Sequence, residues 1–118
     1  MANIPTQNNN PGDLRDTSTG GFRQFPTVLD GYSALVNDIR AKQTGATSTG
    51  LTGTSDLTKF ASVYAPASDN NDPTSYANNL ASKIGVAPNT PIGQIDPHKL
   101  ASAIATNEGF QGQLPVQC

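Results

Sequence analysis

Apolar side chains recur at three- and four-residue steps in four stretches of this chain, and no stretch alternates well enough to read as a strand. The first stretch covers residues 27–43. Val28, Tyr32, Leu35, Val36 and Ile39 make one face, while Asp30, Ser33, Asn37, Asp38, Arg40 and Lys42 fill the other. Thr27 and Asp30 have the spacing of a capping box with Asp in place of Glu. Gly31 weakens a helix intrinsically, so its presence inside the stripe implies close packing there. The second stretch, 56–64, carries Leu57, Phe60, Ala61 and Tyr64, and Pro66 forces Ala65 out of helical geometry. The third and fourth open on the same signal, Asp72-Pro73 and Asp96-Pro97, an N-cap followed by proline at the first helical position. Their stripes are Ala77, Leu80, Ala81, Ile84 and Leu100, Ala101, Ile104, Ala105, stopped by Gly85 and Gly109.

The segments between these stripes are poor in apolar residues. Residues 44–55 are almost entirely Thr, Gly and Ser, a composition that favours turns and predicts a mobile surface loop. Residues 1–21 and 110–118 read as an N-terminal arm, flexible or partly docked, and a flexible tail. Gly21-Phe22-Arg23-Gln24-Phe25 fits a short extended piece in which Phe22 and Phe25 pin the arm to the helices. The expectation is an all-α fold, a compact bundle of about four helices over residues 22–109.

A length of 118 residues suits one domain. Apolar content is only 35% and tryptophan is absent, so the core is small. The net charge of −2 and the dispersed Arg15, Arg23, Arg40, Lys42, Lys59, Lys83 and Lys99 make no basic stripe, which argues against nucleic acid as a partner. No apolar run reaches the length of a membrane span. No charged segment followed by an apolar one opens the chain, so no ordinary signal peptide is expected; that pattern fits cytoplasmic synthesis, or delivery by a phage particle or secretion machine. Cys118 is the only cysteine and the last residue, so neither an intrachain disulfide nor a cysteine metal site is expected. Asp69-Asn70-Asn71-Asp72 fails the calcium-loop spacing, with Leu80 where a bidentate glutamate belongs. His98, the single histidine, reads as a surface residue. No metal or cofactor is expected.

One residue stands out chemically. Glu108 is the only glutamate among nine acidic residues. It follows Leu100 and Ile104 at four-residue steps, so it extends the buried face of the last helix at its C-terminal end. Burial and the helix macrodipole there both disfavour negative charge, and a carboxyl held protonated is what a general acid needs. The same position also suits a half-exposed terminal carboxylate with no chemical role. The segment Asn8-Asn9-Asn10-Pro11-Gly12-Asp13-Leu14-Arg15 is a polar turn, and Arg15 is a candidate carboxylate partner for Glu108.

The succession Asn9-Asn10-Pro11-Gly12-Asp13-Leu14-Arg15, Gly21-Phe22-Arg23-Gln24-Phe25 and Gly31-Tyr32-Ser33-Ala34-Leu35 resembles a family of small phage and prophage proteins. These are described as virion structural proteins or virion-associated, lytic-transglycosylase-like peptidoglycan hydrolases. The likeness continues through Tyr64-Ala65-Pro66, Asp72, Tyr76, Leu80 to Val86 and Asp96-Pro97, and ends at Asn107-Glu108-Gly109. It departs from the family where Asp13 replaces Asn, where the 44–55 stretch replaces a short basic connection, and where Asn-Glu-Gly replaces Glu-Asn-Gly. The resemblance implies peptidoglycan as partner, Glu108 as the catalytic acid, and Asn10, Asp13, Arg15 and Tyr64 as substrate-binding or supporting residues. A transglycosylase needs one such carboxyl, whereas a retaining hydrolase needs a second about 5 Å away, for which Asp13 or Asp16 is the candidate. Tyr32, Tyr64 and Tyr76 are of a type that stacks on sugars, although all three sit on helical stripes. The alternative is a non-enzymatic virion, secreted or interaction module with a protein partner.

Overall fold

The computed structural model describes residues 7–12, 14, 21–65 and 72–110. Among these, α-helices α1 (Val28–Gln43), α2 (Leu57–Tyr64), α3 (Pro73–Ile84) and α4 (Pro97–Asn107) account for the regular structure, joined by a 3₁₀ turn, Ile92–Gln94. The sole β-type pairing among them outside the N-terminal arm is an isolated bridge between Asp56 and Pro91. The fold is an all-α bundle, as the apolar spacing predicts.

The helices begin where local chemistry says they should. Thr27, Asp56, Asp72 and Asp96 each occupy an N-cap, their side-chain oxygens accepting from the backbone N–H of Asp30, Lys59, Ser75 and His98. Each satisfies one of the orphan donors of a helix start. Gly85 ends α3 in the left-handed region, φ 88°. Helix α3 packs against α2 and α4, and α4 packs against α1.

Leu35, Ile39, Leu57, Phe60, Leu80, Leu100 and Ile104 are fully buried between the helices. Each large side chain so buried contributes about 1.5–3 kcal/mol of transfer free energy. Ala61, Ala77, Ala81, Ala101 and Ala103 fill the same cluster and let the helix backbones approach closely.

Two segments differ from the sequence reading. The 44–55 loop is packed, not free-standing. Leu51 is 1% exposed and joins the core. Hydroxyl bonds between Thr47 and Thr49 and between Thr52 and Thr54 lace the rest together. The backbones of Gly53 and Gly93 touch: a Cβ on Gly93 would lie 2.8 Å from the Gly53 carbonyl oxygen. Gln43 at the end of α1 completes the junction by donating to the carbonyls of Ile92 and Ile95, both at 2.8 Å. One buried leucine and close backbone pairing suffice to hold a short loop despite its low apolar content.

The second difference is how the arm is attached. Neither Phe22 nor Phe25 belongs to the buried cluster. The pin is polar: Phe25 N–H donates to the Asn8 carbonyl and Arg23 N–H to the Leu14 carbonyl, both at 2.8 Å. Asn10, Pro11 and Gly12 are buried. Among the described residues the packed unit therefore takes in this turn as well as 22–65 and 72–109.

Candidate functional site

Asn10 is the hub of the N-terminal turn. It is 0% exposed. Its amide nitrogen donates to the carbonyls of Leu14 (3.0 Å) and Arg23 (2.9 Å), and its side-chain oxygen accepts from Leu14 N–H at 2.9 Å. Asn9, at φ 51°, donates to the carbonyls of Phe25 and Pro26. Asparagine tolerates this left-handed conformation better than most residues. The turn lies directly on α1: a Cβ on Gly31 would stand 1.8 Å from the Asn9 carbonyl oxygen. That contact is the close packing the stripe glycine implies.

The turn reaches α2 through Tyr64, whose hydroxyl donates to the Gly12 carbonyl oxygen. The Tyr64 ring stacks on Phe60 at 5.3 Å and faces Tyr76 of α3 at 6.2 Å between centroids. Tyr76 is nearly buried, and its hydroxyl donates to Glu108 Oε2 at 2.6 Å. Glu108 is the C-cap of α4 and half-buried, so the extension of the buried stripe holds to its last residue. A short O–H···O⁻ bond from a buried phenol stabilises negative charge on the carboxylate. Burial, together with the Glu108 charge, pushes the Tyr76 hydroxyl well above the ordinary phenol range.

Three of the five residues singled out from the sequence thus fall on one connected path: the Asn10 turn, Tyr64 and, through Tyr76, Glu108. Asn10 and Tyr64 spend polar atoms on backbone groups. Asp13 and Arg15 lie outside the described residues. Of the tyrosines, Tyr32 and Tyr76 are buried and only Tyr64 retains partial exposure.

Beside Tyr64 opens a cleft of about 270 Å³ lined by Leu14, Arg23, Asp38, Lys42, Thr49, Val63 and Tyr64. Lys42 is 8% exposed, although the helical pattern assigned it to the wet face of α1. Its ammonium pairs with Asp38 one turn earlier and sits 5.4 Å from the centroid of the Tyr64 ring. Arg23 lies over Phe25 at 4.8 Å. The arm and the folded loop create this cleft, so no single-helix pattern could reveal it.

His98 also differs from its sequence reading. It is partly buried, with Nδ1 3.1 Å from the Tyr32 hydroxyl and the two rings stacked at 6.0 Å. Arg40 approaches Nε2 at 3.4 Å. Arg40 can only donate, so Nε2 is the acceptor and Nδ1 carries the proton towards Tyr32. This group ties α1 to the start of α4.

No family model matches the chain, and no curated protein does. No helix among the described residues is long and apolar enough to cross a membrane.

Proposed function

We propose that the chain is a peptidoglycan-directed, lytic-transglycosylase-like protein of phage or prophage type, with Glu108 as its acid and base. The observation that carries the reading is the 2.6 Å bond from the buried Tyr76 hydroxyl to Glu108 Oε2. It fixes the chain's only glutamate, half-buried, at the end of the path that starts at the Asn10 turn. The family resemblance over residues 8–109 supplies the substrate class.

In this reading the fraction of Glu108 protonated against the pull of the Tyr76 bond gives its proton, from the oxygen that Tyr76 does not hold, to the glycosidic oxygen as the sugar C1–O bond breaks. The resulting carboxylate then takes the proton of the same sugar's 6-hydroxyl, whose oxygen closes on C1. The product is a 1,6-anhydro ring and Glu108 is again protonated. Tyr76 positions the carboxyl by holding one oxygen, and buried donors aimed at a reacting carboxylate restrict it to few orientations. Asn10 and Tyr64 support the turn and the aromatic wall beside it.

A second reading is favoured by the same bond. A buried tyrosine hydroxyl requires a partner, and Glu108 supplies one. Under that reading the chain is a non-enzymatic virion or interaction module, and Glu108 is structural.

Release of soluble muropeptides from purified peptidoglycan, wild type beside Glu108→Gln, separates the two. Glutamine still accepts from Tyr76 but transfers no proton. Anhydro-ended products from wild type alone support the transglycosylase reading. Reducing-end products call for a hydrolase with a second carboxylate. No release from either folded protein leaves the structural module.

A further inference from the structure

We propose that the groove between the last turn of α3 and the outer face of α4 binds a small phosphomonoester through Lys83 and Lys99. Lys83 and Ile84 close α3. Lys99, Ser102, Ala103 and Thr106 follow one another along α4 at three- and four-residue steps, so they share one face. The two helices pack together, and the groove lined by these six residues holds about 530 Å³. It brings to one place two cations that lie on different helices and far apart in the sequence.

Charge selects the sign of the ligand. Arg23, Arg40 and Lys42 each meet a neighbour, the Phe25 ring, His98 and Asp38. Among the described residues neither Lys83 nor Lys99 has an ion-pair partner, and no acid lines the groove. The acids at the two ends of α4 are engaged elsewhere: Asp96 accepts from His98 N–H and Glu108 from the Tyr76 hydroxyl. Two positive charges therefore face one groove on a chain whose net charge is −2. Like charges repel, and an anion seated between them turns that repulsion into attraction. A cleft lined by one sign of charge also concentrates the opposite sign. The negative charge of the whole chain opposes an extended polyanion, so a compact anion fits best.

The rest of the lining narrows the anion to a phosphate ester. A phosphomonoester carries a charge of about −1.5 to −2 at pH 7 and three acceptor oxygens. Two ammonium groups and one hydroxyl match that count. Ser102 supplies the hydroxyl, which has no partner among the described residues, whereas the Thr106 hydroxyl donates to the Ser102 carbonyl. No arginine lines the groove among the described residues, so the flat fork that grips a carboxylate through two bonds is missing. Ala103, buried, and Ile84, half-buried, give an apolar floor for the organic part of the ester. A bare phosphate would leave that floor uncovered. None of this draws on Glu108 or on peptidoglycan, so the two readings stand or fall separately.

The test is an amide-resolved NMR titration of the whole chain with glucose 6-phosphate and, separately, with inorganic phosphate and with glucose. Glucose 6-phosphate should shift the amides of Lys83, Ile84, Lys99, Ser102, Ala103 and Thr106 with a Kd of about 1 mM, and glucose should shift none. Affinity should rise between about pH 5 and 7.5, because the ester loses its second proton near pH 6. Lys83→Gln and Lys99→Gln, both at exposed positions, should each weaken binding about fivefold, the upper range for a surface ion pair. Unchanged spectra outside the groove would show that both variants keep the fold. Three results would each overturn the proposal: full affinity in the double variant, shifts spread equally over Arg23, Arg40 and Lys59, or equal affinity for inorganic phosphate.

Discussion

The Tyr76 hydroxyl donates to Glu108 Oε2 at 2.6 Å, joining α3 to the far end of α4 across 32 residues of sequence. Hydrogen bonds to charged partners are worth about 1.5–3 kcal/mol. Tyr76→Phe should therefore lower stability by about 2 kcal/mol near neutral pH, read as a shift of the urea midpoint. A change below about 0.5 kcal/mol would mean that water replaces the phenol at no cost, contrary to its burial.

The same pair predicts an alkaline effect. Burial and the Glu108 charge raise the Tyr76 hydroxyl well above the ordinary phenol value of about 10. The folded state then keeps a proton that the unfolded chain releases above about pH 10. The unfolded state binds fewer protons there, so stability falls as pH rises. The contribution is complete below pH 10 and is lost above it. The advantage of wild type over Tyr76→Phe should shrink by up to about 1.4 kcal/mol per pH unit above 10. Parallel stability curves for the two proteins between pH 9 and 11.5 would refute this.

Asn10 should be intolerant of small polar changes. Asn10→Ala strands Leu14 N–H and the Arg23 carbonyl, while the Leu14 carbonyl keeps the Arg23 N–H, at a cost of about 3 kcal/mol. Asn10→Asp keeps the acceptor but turns an anionic oxygen towards two carbonyls. Its folded state favours the protonated acid, so the variant should lose stability as pH rises through about 4. Hydrogen exchange at the Leu14 and Phe25 amides would show whether the turn opens alone or the whole fold does.

Gly31→Ala pits two effects against each other. Helix propensity favours alanine by about 1 kcal/mol. The new Cβ would stand 1.8 Å from the Asn9 carbonyl oxygen, so the turn must move. Overpacking costs of about 1–3 kcal/mol predict net loss, with the arm released first. Limited proteolysis between residues 12 and 21 should accelerate; a stabilised variant with an unchanged cleavage rate would show that the arm does not dock on α1.

Leu51 tests the loop. Leu51→Ala should cost about 2–4 kcal/mol by thermal or urea unfolding, the range for a buried leucine. A free-standing loop would register almost nothing.

How much of this was legible in the sequence follows from separation along the chain. The four helix starts were readable because Thr27, Asp56, Asp72 and Asp96 bond within three residues of themselves. Glu108 was readable as an end-of-stripe residue because periodicity reports burial. Its partner was not, since no local pattern links residue 76 to 108. The partial burial of His98 has no local signal for the same reason, its partner Tyr32 lying 66 positions away. Lys42 looked solvated because its burial comes from Tyr64 and the folded-back arm. Asn10 was noticed as a turn former, but its burial depends on the Arg23 carbonyl 13 residues later.

The Gly12–Tyr64 bond sets an order of events during synthesis. The Gly12 carbonyl leaves the ribosome 52 residues ahead of the hydroxyl that will hold it. At about 5–20 residues per second, the nascent turn waits several seconds for that partner. Until then the turn is held against α1 by the side chains of Asn9 and Asn10 and by the backbone bonds from Arg23 and Phe25.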